Sequence, residues 1–267
     1  MEVLRSGLAH LATAVSSVFL GTGIRRYVFV GGFALAVGER FLGTEGLTYW
    51  KCLARRTGTA GSWEAVEWAS LPPGAVSGEH LHTRTEEIYF ILSGEGELRL
   101  DGRPHAVRAG SMALTRTGSV HGLRNTGAAP LDWLVVEMPT PHTHAVLTGT
   151  RWTDRENTMP RSTVHVLEDD TEVDPSVSFD GPLRTVRTRS LAAGEKLSLA
   201  ADGTEHVLFV LSGRGTATGS GTEVPLAAGT SITLPLGGTV TVTGGAGGLR
   251  LFHAVMAVAS AGEVGTA

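Results

Sequence analysis

Four side chains in the first half of the sequence have the types and the spacing of a metal-binding site. His80 and His82 are separated by one residue, and Glu87 and His121 follow them. In a strand, residues two apart project from the same face, so both imidazoles can reach one point. A short turn over Thr83 to Thr85 brings Glu87 back beside them, and only a closed fold can add His121. Three imidazoles and a carboxylate suit iron, manganese, nickel, copper or zinc, and they leave coordination positions open for water or a substrate.

The residues around this cluster predict short strands separated by turns. From about Leu47 the pattern has a period of two: polar and apolar residues alternate over Glu64 to Trp68, and Glu87 to Leu92 is a compact β-rich run. The 36 glycines of the chain are scattered along it. Many short strands joined by tight turns require such residues, so the sequence indicates a β-barrel or a β-sandwich.

The second half of the sequence repeats the first. Ile91 to Gly96 reads Ile-Leu-Ser-Gly-Glu-Gly, and Val210 to Gly215 reads Val-Leu-Ser-Gly-Arg-Gly. Three pairs of glycines share one offset of 119 residues: Gly94 and Gly213, Gly110 and Gly229, and Gly118 and Gly237. Because each glycine marks a backbone turn that the fold needs, the constant offset predicts one β-unit that occurs twice.

At these residues the sequence resembles the cupin superfamily, and specifically its two-domain members, the bicupins. The first family motif is His-x-His, four residues, Glu, six residues and Gly; it is met by His80, His82, Glu87 and Gly94. The second is Gly, five residues, Pro-x-Gly, two residues, His, three residues and Asn; it is met by Gly110, Gly118, His121 and Asn125, with Arg116 in place of the proline. The resemblance covers roughly 63–137 and, more loosely, 185–258.

The resemblance implies an all-β fold of two tandem cupin barrels, each a jelly roll or double-stranded β-helix. We expect a metal-binding barrel over 47–138, a linker over 139–182 and a second barrel without a metal site over 183–260. Residues 1–46 form an N-terminal extension, in which apolar residues recur at helical spacing: Leu4, Leu8, Leu11, Val15 and Phe19. This spacing predicts an amphipathic helix packed on the body of the protein or on a partner chain.

The second half keeps the turns of the repeat but not the metal-ligand residue types. The positions 119 residues after His80, His82, Glu87 and His121 are Leu199, Ala201, His206 and Val240. Three of these four side chains offer no lone pair to a metal ion. We therefore expect one divalent metal ion per chain, bound in the first barrel, and a second barrel that pairs with the first and covers sheet edges.

In related cupins such a site performs dioxygenase, isomerase, epimerase or decarboxylase chemistry on small organic molecules. The resemblance therefore implies a metal-dependent enzyme. We favour an Fe(II) oxygenase of the dioxygenase type acting on a small metabolite, with Mn(II), Ni(II), Zn(II) and Cu(II) as the other candidate ions. A non-oxidative isomerase, epimerase or decarboxylase is the first alternative. A non-catalytic binding or storage cupin is the second.

Further residues near the cluster are candidates for catalysis and substrate binding. Glu87 is a candidate catalytic residue as well as a ligand, because the corresponding glutamate doubles as a base in several related cupins. Tyr89 shares the face of Glu87 by strand alternation, and it is a candidate substrate contact together with Trp68. Arg84 is a candidate partner for a substrate carboxylate.

The composition of the chain limits its partners. A formal net charge of −4 over 267 residues gives no basic stripe, which argues against nucleic acid as the main partner. The lone Cys52 excludes an internal disulfide and a cysteine-based zinc cluster, and it fits a reducing, cytoplasmic location. Polar residues interrupt the apolar N-terminal stretch, so we expect no membrane span. Sheet edges and the apolar N-terminal segment need covering, which predicts a homodimer.

Overall fold

A computed structural model describes residues 44–55, 59–149, 161–219 and 221–258, together with the backbone of 18–20, 28–31 and 37–39. The strands before residue 140 are β1 (Val18–Leu20), β2 (Val28–Gly31), β3 (Val37–Glu39), β4 (Thr48–Arg55), β5 (Ala65–Leu71), β6 (Val76–Leu81), β7 (Thr85–Ser93), β8 (Glu95–Leu100), β9 (Arg103–Arg108), β10 (Ser111–Thr115), β11 (Val120–Asn125) and β12 (Leu131–Pro139). Those after it are β13 (Thr163–Val166), β14 (Glu172–Val173), β15 (Leu183–Leu191), β16 (Lys196–Ala200), β17 (Thr204–Gly219), β18 (Thr222–Ala227), β19 (Ser231–Leu234) and β20 (Thr239–Ala257). The described part also contains one α-helix, α1 (Pro141–Thr148), and a 3₁₀ turn over Pro175–Val177.

Two facing sheets form what we call the first unit. A seven-stranded sheet has the order β13-β10-β7-β12-β5-β4-β3, and a four-stranded sheet has the order β6-β11-β8-β9. Alternate residues of both sheets point inwards and form one buried cluster, which includes Leu71, Ile91, Leu98, Leu123 and Trp133. This arrangement is the one that period-two patterning predicts, because each strand buries one face and exposes the other.

A nine-stranded sheet forms the second unit. Its order is β1-β2-β19-β17-β20-β15-β14, with β16 on β20 and β18 on β17. The long strands β17 and β20 contain register shifts that let them curl around a separate interior, which includes Leu208, Val210, Ile232 and Leu251. The all-β jelly-roll fold is thus confirmed. The described strands enclose their interiors as curved sheets, without closing into a continuously hydrogen-bonded barrel.

The glycines that revealed the repeat occupy equivalent turns in the two units. Gly94 and Gly213 have φ of 81° and 84°, a region that favours glycine. A Cβ at either position would also collide with backbone, at Pro130 in the first unit and at Gly248 in the second. The constant offset of 119 residues therefore reflects one backbone geometry that is used twice.

The two units exchange strands. β2, from the segment that precedes the first unit, pairs with β19 of the second unit, Ile232 lying opposite Val30. β13, from the segment that precedes the second unit, pairs with β10 of the first, Ala113 lying opposite Val164. A third apolar cluster lies between the outer faces of the sheets, where the rings of Phe90 and Phe252 are 5.1 Å apart.

Two buried glutamates reinforce this exchange. Glu86 of β7 accepts hydrogen bonds from the backbone N–H groups of Asp180 and Gly181, at 2.8 and 3.2 Å, just before the second unit begins. Its equivalent in the second unit, Glu205, accepts from the N–H groups of Ala60 and Gly61, at 2.7 and 2.9 Å, just before β5. Burial raises the pKa of Glu86 to about 7, against the opposing effect of these backbone donors.

The N-terminal prediction is corrected where it can be compared. The predicted helix rests largely on residues outside the described part of the chain, but Val18–Leu20, which includes Phe19, is a strand paired with β2. β-Branched and aromatic residues such as Val18, Phe19, Val28 and Phe29 favour strands, and the free edge at β19 gives them a partner. The prediction from the helical spacing of apolar residues did not take this sheet edge into account.

The segment expected to be a linker, 139–182, carries regular structure. Thr140 caps α1 by accepting from the Thr143 N–H, and Thr163–Val166 forms β13. β13 joins the first unit, whereas β14 joins the second. The segment therefore belongs to both sheets, and its boundaries as a separate linker stay a prediction.

Candidate metal centre

The four predicted ligands come from both sheets of the first unit and from the bend between β6 and β7. His80 lies in β6 directly opposite His121 of β11, and Glu87 lies in β7. His82 follows β6, where its backbone N–H donates to the Ser119 carbonyl. The chain then bends and returns as β7, as the spacing predicted. His82, Glu87 and His121 are buried, while His80 borders solvent.

The donor atoms of these residues converge on one point. His121 Nε2 lies 3.0 Å from His82 Nε2, 3.1 Å from His80 Nε2 and 3.0 Å from Glu87 Oε2. His82 Nε2 lies 3.2 Å from the same carboxylate oxygen. One ligand atom from each of the four residues lies within 4.8 Å of the others. We refer to these four residues as the donor cluster.

The other ring nitrogen of each histidine has a partner that orients the ring. His80 Nδ1 donates to the Gly78 carbonyl at 3.0 Å, so its Nε2 carries a lone pair. Nδ1 of His121 lies 2.9 Å from Thr115 Oγ1, and Nδ1 of His82 lies 3.4 Å from Thr85 Oγ1. Partners of this kind fix the tautomer of metal-binding histidines and turn the Nε2 lone pairs inwards.

A divalent cation fits this geometry. Inward lone pairs about 3 Å apart repel one another, and Glu87 Oε2 is buried without a well-aligned hydrogen-bond donor. Ligands about 2.1 Å from an ion are separated by about 3.0 Å when they subtend a right angle and by about 3.4 Å in a tetrahedron. The observed separations of 3.0 to 3.2 Å lie within this range, so the four residues could hold one divalent ion.

The electrostatics of the cluster keep its carboxylate ionised. Burial would raise the pKa of Glu87, but the close contacts with His121 and His82 lower it to about 2. Burial lowers the pKa of His121, and Glu87 only partly opposes it. Burial also disfavours a charge on His82, yet the adjacent Glu87 raises its pKa overall. A carboxylate with neutral imidazoles around it is the state that binds a cation.

A cavity of about 510 Å³ opens beside the cluster, with His80 and Glu87 in its wall. This volume lies within the usual range for small-molecule sites. Trp50, Tyr89 and Trp133 supply aromatic walls. Arg55 and Glu67 also line the cavity and form an ion pair at 3.3 Å.

Of the three predicted substrate contacts, the structure places one in this cavity. Tyr89 lines it, and its ring lies 4.5 Å from that of His121. The prediction for Trp68 is corrected, because strand alternation turns this side chain to the opposite face of β5, where it packs between the two units. Arg84 is also corrected: it lies at the exposed bend between His82 and Thr85 and does not line the cavity.

Sequence reasoning missed the cavity residues contributed by β4. Thr48 and Trp50 alternate with exposed Tyr49, and Arg55 follows a register shift in the same strand. The alternation of Thr-Tyr-Trp could have indicated a strand with an inward-facing indole. It could not have indicated that this strand lies at the edge of the site.

The equivalent positions of the second unit are filled by packing. Ala201 and Val240 are buried in its interior cluster and Leu199 packs against it. Arg187 Nε donates to His253 Nδ1 at 3.2 Å, so His253 Nε2 donates to His206 Nδ1 at 3.0 Å. His206 Nε2 is therefore protonated and donates to Thr204 Oγ1 at 3.1 Å. In this chain of hydrogen bonds, His206 has no lone pair left for a metal ion.

Comparison with known proteins identifies the domain that carries the donor cluster. A family model described as "Cupin domain" matches residues 67–137. An oxalate-binding protein from Thermotoga maritima is 41% identical over 66 residues, which are 25% of this chain and 54% of that relative. The chain thus spans about half the length of this curated relative.

Solved structures share the fold over nearly the whole chain. YlbA from E. coli superposes with a TM-score of 0.69 and 13% identity, covering 96% of this chain and 98% of that protein. A salicylate 1,2-dioxygenase variant from Pseudoaminobacter salicylatoxidans, in complex with gentisate, gives a TM-score of 0.64 and 13% identity, covering 95% and 86%. At these identities the likeness shows the fold alone. Within the described residues, no helix is long and apolar enough to cross a membrane.

Proposed function

Because this chain belongs to the cupin superfamily and brings three imidazoles and one carboxylate to a single point beside a cavity, we propose that it is a metal-dependent enzyme acting on a small organic molecule. The observation that carries the proposal is that His80 and Glu87 belong both to the donor cluster and to the wall of the cavity. A substrate there would meet the ion directly.

The residues of the donor cluster would hold the ion through His80, His82, Glu87 and His121. The ion would supply Lewis acidity and, for iron, the capacity to react with oxygen. Tyr89 remains a neutral hydrogen-bond donor, because burial and the Glu87 carboxylate raise its pKa well above the usual value. Glu87 is a weak proton acceptor while it faces two imidazoles. A role as base would require its carboxylate to turn away from them.

Among metal-dependent reactions we favour oxygenation with Fe(II), on two supports. The donor set of three imidazoles and one carboxylate would suit Fe(II), which would supply reactivity towards oxygen. The fold is shared over most of the chain with a dioxygenase that binds gentisate. A non-oxidative decarboxylase or isomerase is the second candidate, favoured by the similarity of a 66-residue stretch to an oxalate-binding protein.

The experiment is metal analysis of anaerobically purified protein, followed by reconstitution with Fe(II), Mn(II), Ni(II) or Zn(II). Each form is screened with small organic acids and phenols for oxygen consumption and for anaerobic turnover. Oxygen uptake with the Fe(II) form alone supports the oxygenase. Anaerobic turnover by the other forms selects the decarboxylase or isomerase. A chain that binds no divalent ion at all would overturn both.

A further inference from the structure

The cavity beside the donor cluster contains buried hydrogen-bond donors with no protein partner. Thr48 Oγ1, Trp50 Nε1 and Trp133 Nε1 are buried and form no hydrogen bond with the described residues. Thr48 and Trp133 are each 2% exposed and both line the cavity. The Trp133 side chain also lies beside that of Tyr89, with the two ring centroids 5.6 Å apart. Buried polar groups are normally paired, so three such groups around one cavity point to a ligand.

These groups restrict the chemistry of that ligand. An indole N–H can only donate a hydrogen bond. A ligand that satisfies Trp50 and Trp133 must therefore bring acceptor atoms. Arg55 lines the same cavity, but it is paired with Glu67 and lies in the row of the strand register that contains Glu87, so it does not belong to this set of donors. The set of donors favours a carboxylate or another oxyanion over an amine.

The strand register separates these donors from the metal-binding end. Trp50, Ala69 and Trp133 lie side by side on β4, β5 and β12. Glu87 lies opposite Glu137, four residues further along β12 than Trp133. Four residues of strand span about 13 Å, so the cavity has lone pairs at one end and N–H and O–H donors at the other.

The middle of the cavity differs from its two ends in the side chains that line it. Tyr89, Val135 and Glu67 lie in one row of the strand register between the two ends. The Glu67 carboxylate is paired with Arg55, so the aromatic ring of Tyr89 and the Val135 side chain are the uncharged walls there. Flat apolar atoms pack well against such walls.

We propose that the substrate is a planar, ring-containing organic acid that binds at both ends of this cavity. Two oxygen atoms at one end of the ring face the metal-binding donor cluster. A carboxylate at the other end accepts hydrogen bonds from Trp50, Trp133 and Thr48. This inference rests on the proposed function, because it assigns one end of the ligand to the ion.

The test uses two probes of matched size, 3,4-dihydroxybenzoate and 4-methylcatechol, which differ in the presence of the carboxylate. Their dissociation constants are measured by titration calorimetry on full-length protein loaded with Zn(II), which is redox-inert. A hydrogen bond to a charged acceptor is worth about tenfold in affinity or more, so we expect the wild type to prefer the carboxylate by at least that factor.

Two variants each remove one donor: Thr48→Val, which keeps the shape of the side chain, and Trp50→Phe, which keeps an aromatic ring in the cavity wall. Each should reduce the preference for 3,4-dihydroxybenzoate several-fold and leave the affinity for 4-methylcatechol unchanged. Trp68→Phe is the matched control, because Trp68 faces away from the cavity, and it should keep the wild-type preference.

The outcomes separate the two proposals. If the protein binds Zn(II) but neither probe, or shows the same preference in all variants, the substrate class is wrong and the metal site stands. If the protein binds no Zn(II) and the metal analysis above also finds none, the proposed function itself fails. Circular dichroism and the Zn(II) content of each variant check that a lost preference does not come from misfolding.

Discussion

At the scale of single residues, the donor cluster could be predicted because its members lie close together in sequence and follow a spacing. The motif supplied His80, His82 and Glu87 within eight positions, and His121 followed from a second motif. The cavity could not be predicted in the same way. Whether Trp50 or Trp68 faces inwards depends on the register of β4 and β5, which is set by pairing partners far along the chain.

Removal of one donor should abolish metal binding without unfolding the chain. His121→Ala and His82→Ala each leave fewer donors and an unpaired Glu87 carboxylate, so we expect metal content to fall by at least tenfold. His206→Ala, at the position equivalent to Glu87, is the control and should keep its metal. Elemental analysis after dialysis measures the metal content of each protein. Full metal occupancy in His121→Ala would show that the ion lies elsewhere.

The hydrogen-bonded histidines of the second unit should make the fold sensitive to acid. Burial and the charge of Arg187 lower the pKa of His253 to about 3. Below the ordinary histidine pKa, near 6.5, His253 binds a proton in the unfolded chain but not in the folded chain. This contribution to stability is complete above that pH and is lost by up to about 1.4 kcal/mol per pH unit as the pH falls towards 3.

His253→Leu should remove this dependence, and leucine already occupies the equivalent position of the first unit, Leu134. The unfolding free energy of metal-free wild type and variant is measured in urea between pH 7.5 and 4.5, taken as a window from about one unit above to two units below the unfolded pKa. The variant should lose less stability on acidification. Parallel pH profiles for the two proteins would contradict the assignment.

At the scale of elements, the exchange of strands between the units is the feature that the sequence concealed. The repeat predicted two similar units, but nothing in Val28–Gly31 or Thr163–Val166 specifies which sheet edge each strand will join. Both are short apolar runs that suit any free edge. Only the folded chain shows that each unit is completed by a strand that precedes the other.

The two buried glutamates should contribute unequally to the free energy of unfolding. Glu205 is fully buried and also accepts from Trp63 Nε1 at 2.9 Å and from the Leu236 N–H at 3.0 Å, whereas Glu86 accepts from two backbone groups. Glu205→Gln turns an amide N–H₂ towards donors, so we expect a loss of about 1–3 kcal/mol in unfolding free energy. Glu86→Gln is the matched comparison and should lose less. Urea denaturation of metal-free protein measures both, and the reverse order would refute this account.

At the scale of the whole molecule, the two units differ in what fills their interiors while sharing one apolar interface. The first unit keeps a cavity at its donor cluster, and the second is packed with side chains such as Leu208 and Leu251. This asymmetry could be predicted from the residues at the offset of 119. The interface could not, because its members, such as Phe90 and Phe252, are ordinary strand residues in the sequence.

The shared interface should make the units unfold together. Phe252 is fully buried against the ring of Phe90, so Phe252→Ala should cost about 3–5 kcal/mol. Because the cluster belongs to both units, we expect a single transition by tryptophan fluorescence and by circular dichroism at the same urea concentration. Separate transitions, with only the second unit destabilised, would show that the units are independent.

The strand exchange also has a consequence for how the protein is made. β2 ends at Gly31, and its partner β19 begins only at Ser231, about 200 residues later. Ribosomes add about 5–20 residues per second, so β2 waits roughly 10–40 s for its partner to be translated. The first unit, by contrast, needs only β13, which leaves the ribosome much sooner. Translation order would therefore let the metal-binding half mature first, while β2, which is made before it, is among the last to dock.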